Sequence, residues 1–169
     1  MKKIKVLFLD IDGVLNVYPQ GRDKFGSKFH KEFEENLKHI IEETGAKIVI
    51  SSTWRMSGLE VMKEMWKHRH LPGEVIDITP LETVIIEEND DMSYHDDVWR
   101  GHEIKHWLEN HPDVENYVIL DDDSDMLIEQ LNNFVKTSGN SDHEDSVDGG
   151  GYGLTRKCAE LAIEILNKK

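Results

Sequence analysis

Two carboxylates one residue apart, Asp10 and Asp12, follow the apolar run from Ile4 to Leu9 and precede Gly13. An ionised carboxylate at the end of a buried strand is costly unless something compensates it. Two of them aimed at one spot suit a divalent cation bound through oxygen ligands. One of the pair could also attack a substrate while the other moves a proton. Gly13 would let the backbone turn sharply beside them. The bland alternative is a strand that ends in solvated aspartates. Two further apolar segments end in polar residues of suitable kinds. Lys47–Ser51 runs on into Ser52, Thr53, Trp54 and Arg55, and Tyr117–Leu120 runs into Asp121, Asp122, Asp123, Ser124 and Asp125.

Cations near these ends matter because phosphoryl transfer needs positive charge around the transferring group. Arg55 sits just past Ser51, and Arg100 opens a helix at Gly101, where a helix N-terminus already favours anions. Lys105 is a weaker candidate. Two other motifs compete. His102-Glu103-Ile104-Lys105-His106 matches H-E-x-x-H, which on a helix would place two histidines on one face as zinc peptidases require. Against it, Lys105 sets a cation beside the proposed zinc, the helix is short, and no third ligand stands at a usual spacing. Asp121, Asp123 and Asp125 fit the start of a calcium loop, but Met126 stands where that loop needs glycine and Asn132 where it needs glutamate. Asp121–Asp125 also reads as an acidic turn capping the next helix. The run from Gly149 to Gly153 lacks a preceding strand and reads as a linker rather than a phosphate cradle.

The elements that must position these groups alternate. After a loop or small flap over 13–29, apolar residues at Phe33, Leu37, Ile40 and Ile41 predict a helix from His30 to Thr44, ended by Gly45. Lys47–Ser51 is a second buried strand. Ser57 is placed to cap a helix carrying Leu59, Met62 and Trp66. Val75–Thr79 predicts a third strand, and 81–99 reads as an insertion or lid. Gly101–Asn110 is a short helix with Ile104, Trp107 and Leu108 inward. Tyr117–Leu120 is a strand, Met126–Leu131 helical, and Asn133–Thr137 a last strand. A flexible acidic loop over 138–153 leads to a helix capped by Thr155, with Cys158, Leu161, Ala162, Ile165 and Leu166 inward. Strands alternating with helices predict an α/β fold with a parallel sheet covered on both faces. In such sheets, sites form outside the carboxyl ends of the strands.

A chain of 169 residues fits one domain with a substantial core. A net charge of −14 argues against a broad electrostatic grip on nucleic acid or an anionic membrane, though not against a local contact with a nucleic-acid end. Cys158 is the only cysteine, which rules out an internal disulfide and a cysteine-based zinc cluster. The apolar run from Val6 is broken by Asp10, too soon for a signal peptide or a membrane span. A reducing cytoplasm is the expected setting.

Asp10-Ile11-Asp12-Gly13-Val14-Leu15-Asn16, the strand ending at Ser51, Arg100, and Tyr117-Val118-Ile119-Leu120-Asp121-Asp122 together resemble the haloacid dehalogenase (HAD) superfamily, in that family's order. Ser51-Ser52-Thr53-Trp54-Arg55 with Arg100-Gly101-His102-Glu103-Ile104 and Trp107-Leu108 resembles a small branch, the HAD domains found in or related to RNA-repair proteins of phages and bacteria. The resemblance implies a three-layer Rossmann-like fold without a large cap domain. It implies that Asp10 attacks phosphorus and becomes an aspartyl-phosphate. Asp12 would protonate the leaving oxygen and then activate water. Ser51 would bond a phosphoryl oxygen, with Ser52 and Arg55 as further substrate contacts, and Arg100 would replace the family's usual lysine. Asp122, with Asp121 or Asp125, would complete a Mg²⁺ site with Asp10 and the backbone carbonyl of Asp12. The implied reaction is Mg²⁺-dependent hydrolysis of a phosphomonoester, on a phosphorylated small molecule or a nucleic-acid end, with no membrane partner and room for a protein partner. A HAD-like fold kept as a non-catalytic metal-binding or interaction module is the alternative.

Overall fold

The computed structural model describes residues 3–18, 20–81, 99–139 and 152–168. The expected lid at 81–99 and acidic loop at 138–153 therefore fall almost wholly outside the described residues. The elements are β1 (Ile4–Leu9), β2 (Arg22–Asp23), β3 (Gly26–Ser27), α1 (Lys31–Thr44), β4 (Lys47–Ile50), α2 (Leu59–His68) and β5 (Val75–Ile78). Then come α3 (Arg100–Glu109), β6 (Val114–Asp121), β7 (Phe134–Lys136) and α4 (Arg156–Leu166). The large sheet has the order β5-β4-β1-β6-β7, and every pairing in it is parallel.

Period-two alternation in β1 divides the core into two sides. Leu7 and Leu9 face one side with Ile48 and Ile50 of β4, against Leu37 and Ile40 of α1, Met62, Met65 and Trp66 of α2, and Ala159 and Ala162 of α4. Val6 and Phe8 face the other, with Val49 and Ile119, against Ile104 and Trp107 of α3. Helices thus cover both faces, as the alternating pattern predicts, and α3 is the helix that closes the second face. Trp107 and Tyr117 each meet the Phe8 ring edge-on, at centroid distances of 5.4 and 5.9 Å.

The local signals act as expected at several ends. Gly45 takes the left-handed conformation (φ 66°) that closes α1, and its N–H donates to the Ile41 carbonyl. Thr155 caps α4, accepting from the Cys158 N–H at 3.2 Å. Other expectations are corrected. Ser57 does not cap α2. Ser52 accepts the Trp54 N–H and starts a 3₁₀ turn over Thr53–Ser57, so Gly58 becomes the α2 N-cap. No helix begins at Met126; a 3₁₀ turn spans Ile128–Asn133. Leu161 is exposed rather than inward. β6 starts three residues earlier than its apolar run, because the polar Asn116 is satisfied by donating to the Ile165 carbonyl at 2.7 Å.

Residues 13–29 hold a small antiparallel hairpin, β2–β3. Arg69, just past α2, grips it bidentately through Asp23 at 2.9 and 2.7 Å, and Lys24 reaches Glu64 of α2 at 2.6 Å. Arg69 holds the Asp23 carboxyl well below the usual range, at about 2. Among the described residues, no helix is long and apolar enough to cross a membrane.

The second core predicts its own sensitivity. Ile104 is fully buried there, so Ile104→Ala should cost about 2–5 kcal/mol in urea unfolding. The exposed neighbour change Lys105→Ala should cost less than about 0.5 kcal/mol.

Candidate active site

The parallel register sets the site. Leu9 of β1 lies beside Leu120 of β6, so the next residues, Asp10 and Asp121, emerge side by side at the carboxyl edge. The Asp10 N–H donates to the Leu120 carbonyl at 3.0 Å, and the Ile11 N–H donates to Asp10 Oδ1 at 2.8 Å. Both carboxylates are buried. Asp122 joins them: Asp10, Asp121 and Asp122 each offer an oxygen, and the three oxygens lie within 4.8 Å of one another. Asp122 is confined by backbone on two sides. A Cβ at Gly13 (φ 80°) would overlap its Cγ, and one at Gly139 would overlap its Oδ2. Thr137 Oγ1 pins the Gly13 turn by donating to the Gly13 carbonyl at 2.8 Å.

So much buried negative charge needs an answer. Burial, reinforced by Asp10, pushes the Asp121 carboxyl up to about 8 despite the opposing Arg100. The same two causes push Asp122 up to about 6. Arg100, at the start of α3, lays Nη1 between Asp121 Oδ2 and Asp10 Oδ2, the latter at 3.1 Å. Burial disfavours its charge, but Asp121 and Asp10 outweigh burial and raise its pKa, so the guanidinium stays ionised. A second positive charge fits this site: three oxygen ligands converge, and two of them hold protons too tightly for acids flanked by one arginine. Asp10, Asp121 and Asp122 could hold a divalent cation on hard oxygen ligands.

The other expected site residues divide. The Asp12 carboxylate lies outside the three-carboxylate group. Its Oδ2 accepts from Trp54 Nε1 at 2.9 Å and its Oδ1 from Asn16 Nδ2 at 3.0 Å. Ser51 is fully buried at the end of β4, and its Oγ has no hydrogen-bond partner among the described residues. Ser52 caps a turn, its buried Oγ accepting the Trp54 backbone N–H. Arg55 is engaged within the chain. It is buried, and its donors go to the Thr79 carbonyl, the Ser51 carbonyl and Glu103 Oε2, at 3.1, 2.8 and 2.5 Å. Asp125 lies outside the three-carboxylate group and anchors the helix: its Oδ2 accepts the Arg100 N–H at 3.0 Å and its carbonyl the Gly101 N–H at 3.1 Å, while its buried Oδ1 has no hydrogen-bond partner among the described residues. Lys105 is exposed and pairs with Glu129 at 3.1 Å, away from the carboxylates.

Among the described residues, these positions lend the zinc reading no support. His102 and His106 face solvent on α3, whereas Glu103 points inward to Arg55. A general base for a zinc-bound water would have to share the histidines' side. Among the described residues, the sole group of three candidate metal ligands is Asp10, Asp121 and Asp122.

Several partners escaped the sequence. Trp54 and Asn16 lie inside segments recognised as chemical, but nothing in their spacing says that both reach Asp12. Glu103 was hidden inside the misleading H-E-x-x-H pattern. Gln130, buried, accepts the Leu127 N–H and donates to the Gly101 carbonyl at 2.7 Å, fastening α3 from below. Its setting between Glu129 and Leu131, with Asn132 and Asn133 close behind, gives no sign of that role.

No curated protein matches the chain. A solved structure described as a HAD superfamily (subfamily III A) hydrolase from Legionella pneumophila is similar over 99% of this chain and 86% of that one, at 17% identity and a TM-score of 0.46. The family model for the HAD domain in Swiss Army Knife RNA repair proteins matches residues 6–142, which include Asp10, Ser51, Arg100 and Asp121. The chain belongs to that branch of the HAD superfamily.

Proposed function

We propose that this chain is a Mg²⁺-dependent phosphomonoester hydrolase that works through an aspartyl-phosphate on Asp10. The observation that carries the reading is the convergence of Asp10, Asp121 and Asp122 at adjoining strand ends with Arg100 between two of them. An all-carboxylate donor set favours a hard cation, which when bound would offset the charge of the three aspartates and draw a phosphoryl oxygen toward Asp10. Asp10 forms the new O–P bond as the bond from phosphorus to the leaving oxygen breaks. Asp12 delivers the proton that the leaving oxygen needs. In the second half, Asp12 takes a proton from water as that water attacks phosphorus and the Asp10–phosphorus bond breaks, releasing inorganic phosphate. Arg100 keeps a fixed positive charge beside the attacking carboxylate throughout. Ser51 Oγ retains hydrogen-bonding capacity for a phosphoryl oxygen. Between Gly13 and α1 the described residues hold only the small hairpin, which suits a bulky phosphate. The family's link to RNA repair directs the choice to nucleotide or polynucleotide ends.

Two measurements test the reading. Phosphate release from an aryl phosphate should require Mg²⁺ and fall by at least about a thousandfold in Asp10→Asn, since the nucleophile is lost. Full activity in that variant would overturn the covalent step. The raised carboxyls predict a pH signature. In metal-free protein, Asp121 and Asp122 bind protons more tightly folded (about 8 and about 6) than at the ordinary value of 3.8. Their protonation therefore favours the folded state at low pH, and that advantage is lost as pH rises through these folded values. The melting temperature of metal-free protein should fall from pH 5 to pH 8 (approximate window from the two groups). Added Mg²⁺ should raise it more at the upper end of that window than at the lower, as read by thermal melts.

A further inference from the structure

Asp12 is the one proposed catalytic group that is exposed, and an exposed carboxylate on a turn has several rotamers open to it. Two neutral donors hold it. Indole Nε1–H can only donate, so Trp54 takes one lone pair of Oδ2, and Asn16 Nδ2 takes one of Oδ1. A proton carried by Asp12 must then occupy a remaining lone pair, so the two donors decide where that proton can point.

Trp54 is itself held from several directions. Its backbone N–H is tied to Ser52 Oγ at 3.3 Å, and the Phe29 ring lies 5.7 Å from its own, centroid to centroid. The Arg69 guanidinium carbon sits 5.9 Å from the Trp54 ring and 4.6 Å from the Phe29 ring. The same guanidinium grips Asp23 of the hairpin and reaches the Gly26 carbonyl at 3.4 Å. At Gly26 (φ 111°) the hairpin passes so near the indole that a Cβ there would lie 3.5 Å from Trp54 Cη2. A continuous set of contacts therefore runs from α2 through Arg69 and the hairpin to Trp54 and on to Asp12.

We propose that Trp54 is a positioning residue for proton transfer at Asp12, and that the β2–β3 hairpin sets this position through Arg69 and the indole. The inference rests on the phosphomonoesterase reading and adds a specificity consequence. A leaving oxygen of high basicity, such as a ribose hydroxyl, needs its proton during bond cleavage, while a nitrophenolate departs without one. In the first half-reaction, correct aim of Asp12 thus matters for alkyl phosphates such as nucleotide ends and hardly at all for activated aryl esters, while the water step that follows is the same for both.

The test compares Trp54→Phe with wild type on a nucleoside monophosphate and on para-nitrophenyl phosphate, in the presence of Mg²⁺, by single-turnover release of the leaving group, which reads the first half-reaction alone. Phenylalanine keeps an aromatic ring against Phe29 and removes the N–H. The expected result is a loss of about tenfold or more in the single-turnover rate on the nucleoside monophosphate, with half-saturation little changed and less than about threefold lost on the aryl ester. Asp23→Asn, which weakens the Arg69 grip without touching Asp12 or Trp54, should reproduce the same selective loss in milder form. Equal losses on both esters in Trp54→Phe, or no loss on either, would overturn the positioning role and leave the phosphatase reading standing. A selective loss in Trp54→Phe with none in Asp23→Asn would overturn the hairpin's part. Wild type that turns over neither ester would remove the phosphatase reading, and this inference with it.

Discussion

Two carboxylates buried on neighbouring strand tips repel each other, and the site is built around answering that repulsion. Asp10 and Asp121 cannot be moved apart, because the register of β1 with β6 places them side by side. The answer inside the chain is Arg100, which arrives from α3 on the far side of the sheet and bonds both. α3 in turn is fixed at its start by Asp125 and Gln130 and along its length by Ile104 and Trp107 in the second core. One guanidinium does not settle three acids, as the raised carboxyls of Asp121 and Asp122 attest. A cation is the remaining electrostatic solution that leaves all three ionised.

The buried pair of Arg55 and Glu103 belongs to the same construction. Burying two charges costs more than an exposed pair would return, so its value lies in geometry rather than stability. Arg55 bonds the carbonyls that end β4 and β5, and Glu103 sits on α3 one turn after Arg100. The pair thereby ties the strand end that carries Ser51 to the helix that carries Arg100.

Much of the architecture was legible because β1, β4 and β6 are continuous apolar runs and α1 repeats with helical spacing to a glycine stop. The carboxylate pair at Asp10 and Asp12 and the acidic run at Asp121–Asp125 were legible as chemistry because charge set directly after a buried strand must find a partner. The contacts that were not legible share one cause. Ser52, Ser57, Arg55 and Asp125 are polar residues whose partners lie on other elements or in backbone turns, and residue type alone cannot say whether a donor faces a ligand or a carbonyl. Gly58, not Ser57, caps α2 because Ser52 had already begun a tighter turn.

The sequence by itself determined the parallel α/β order, the three polar strand ends and the kinship of the motifs, since these depend on residue type and local period. Only the tertiary structure decided that Asp121 and Asp122, rather than Asp125, gather with Asp10, and that Glu103 turns inward to Arg55. It alone joined Asp12 to Trp54. Such choices depend on strand register and on which face of a helix meets the sheet, and both are set by packing between segments far apart in the chain.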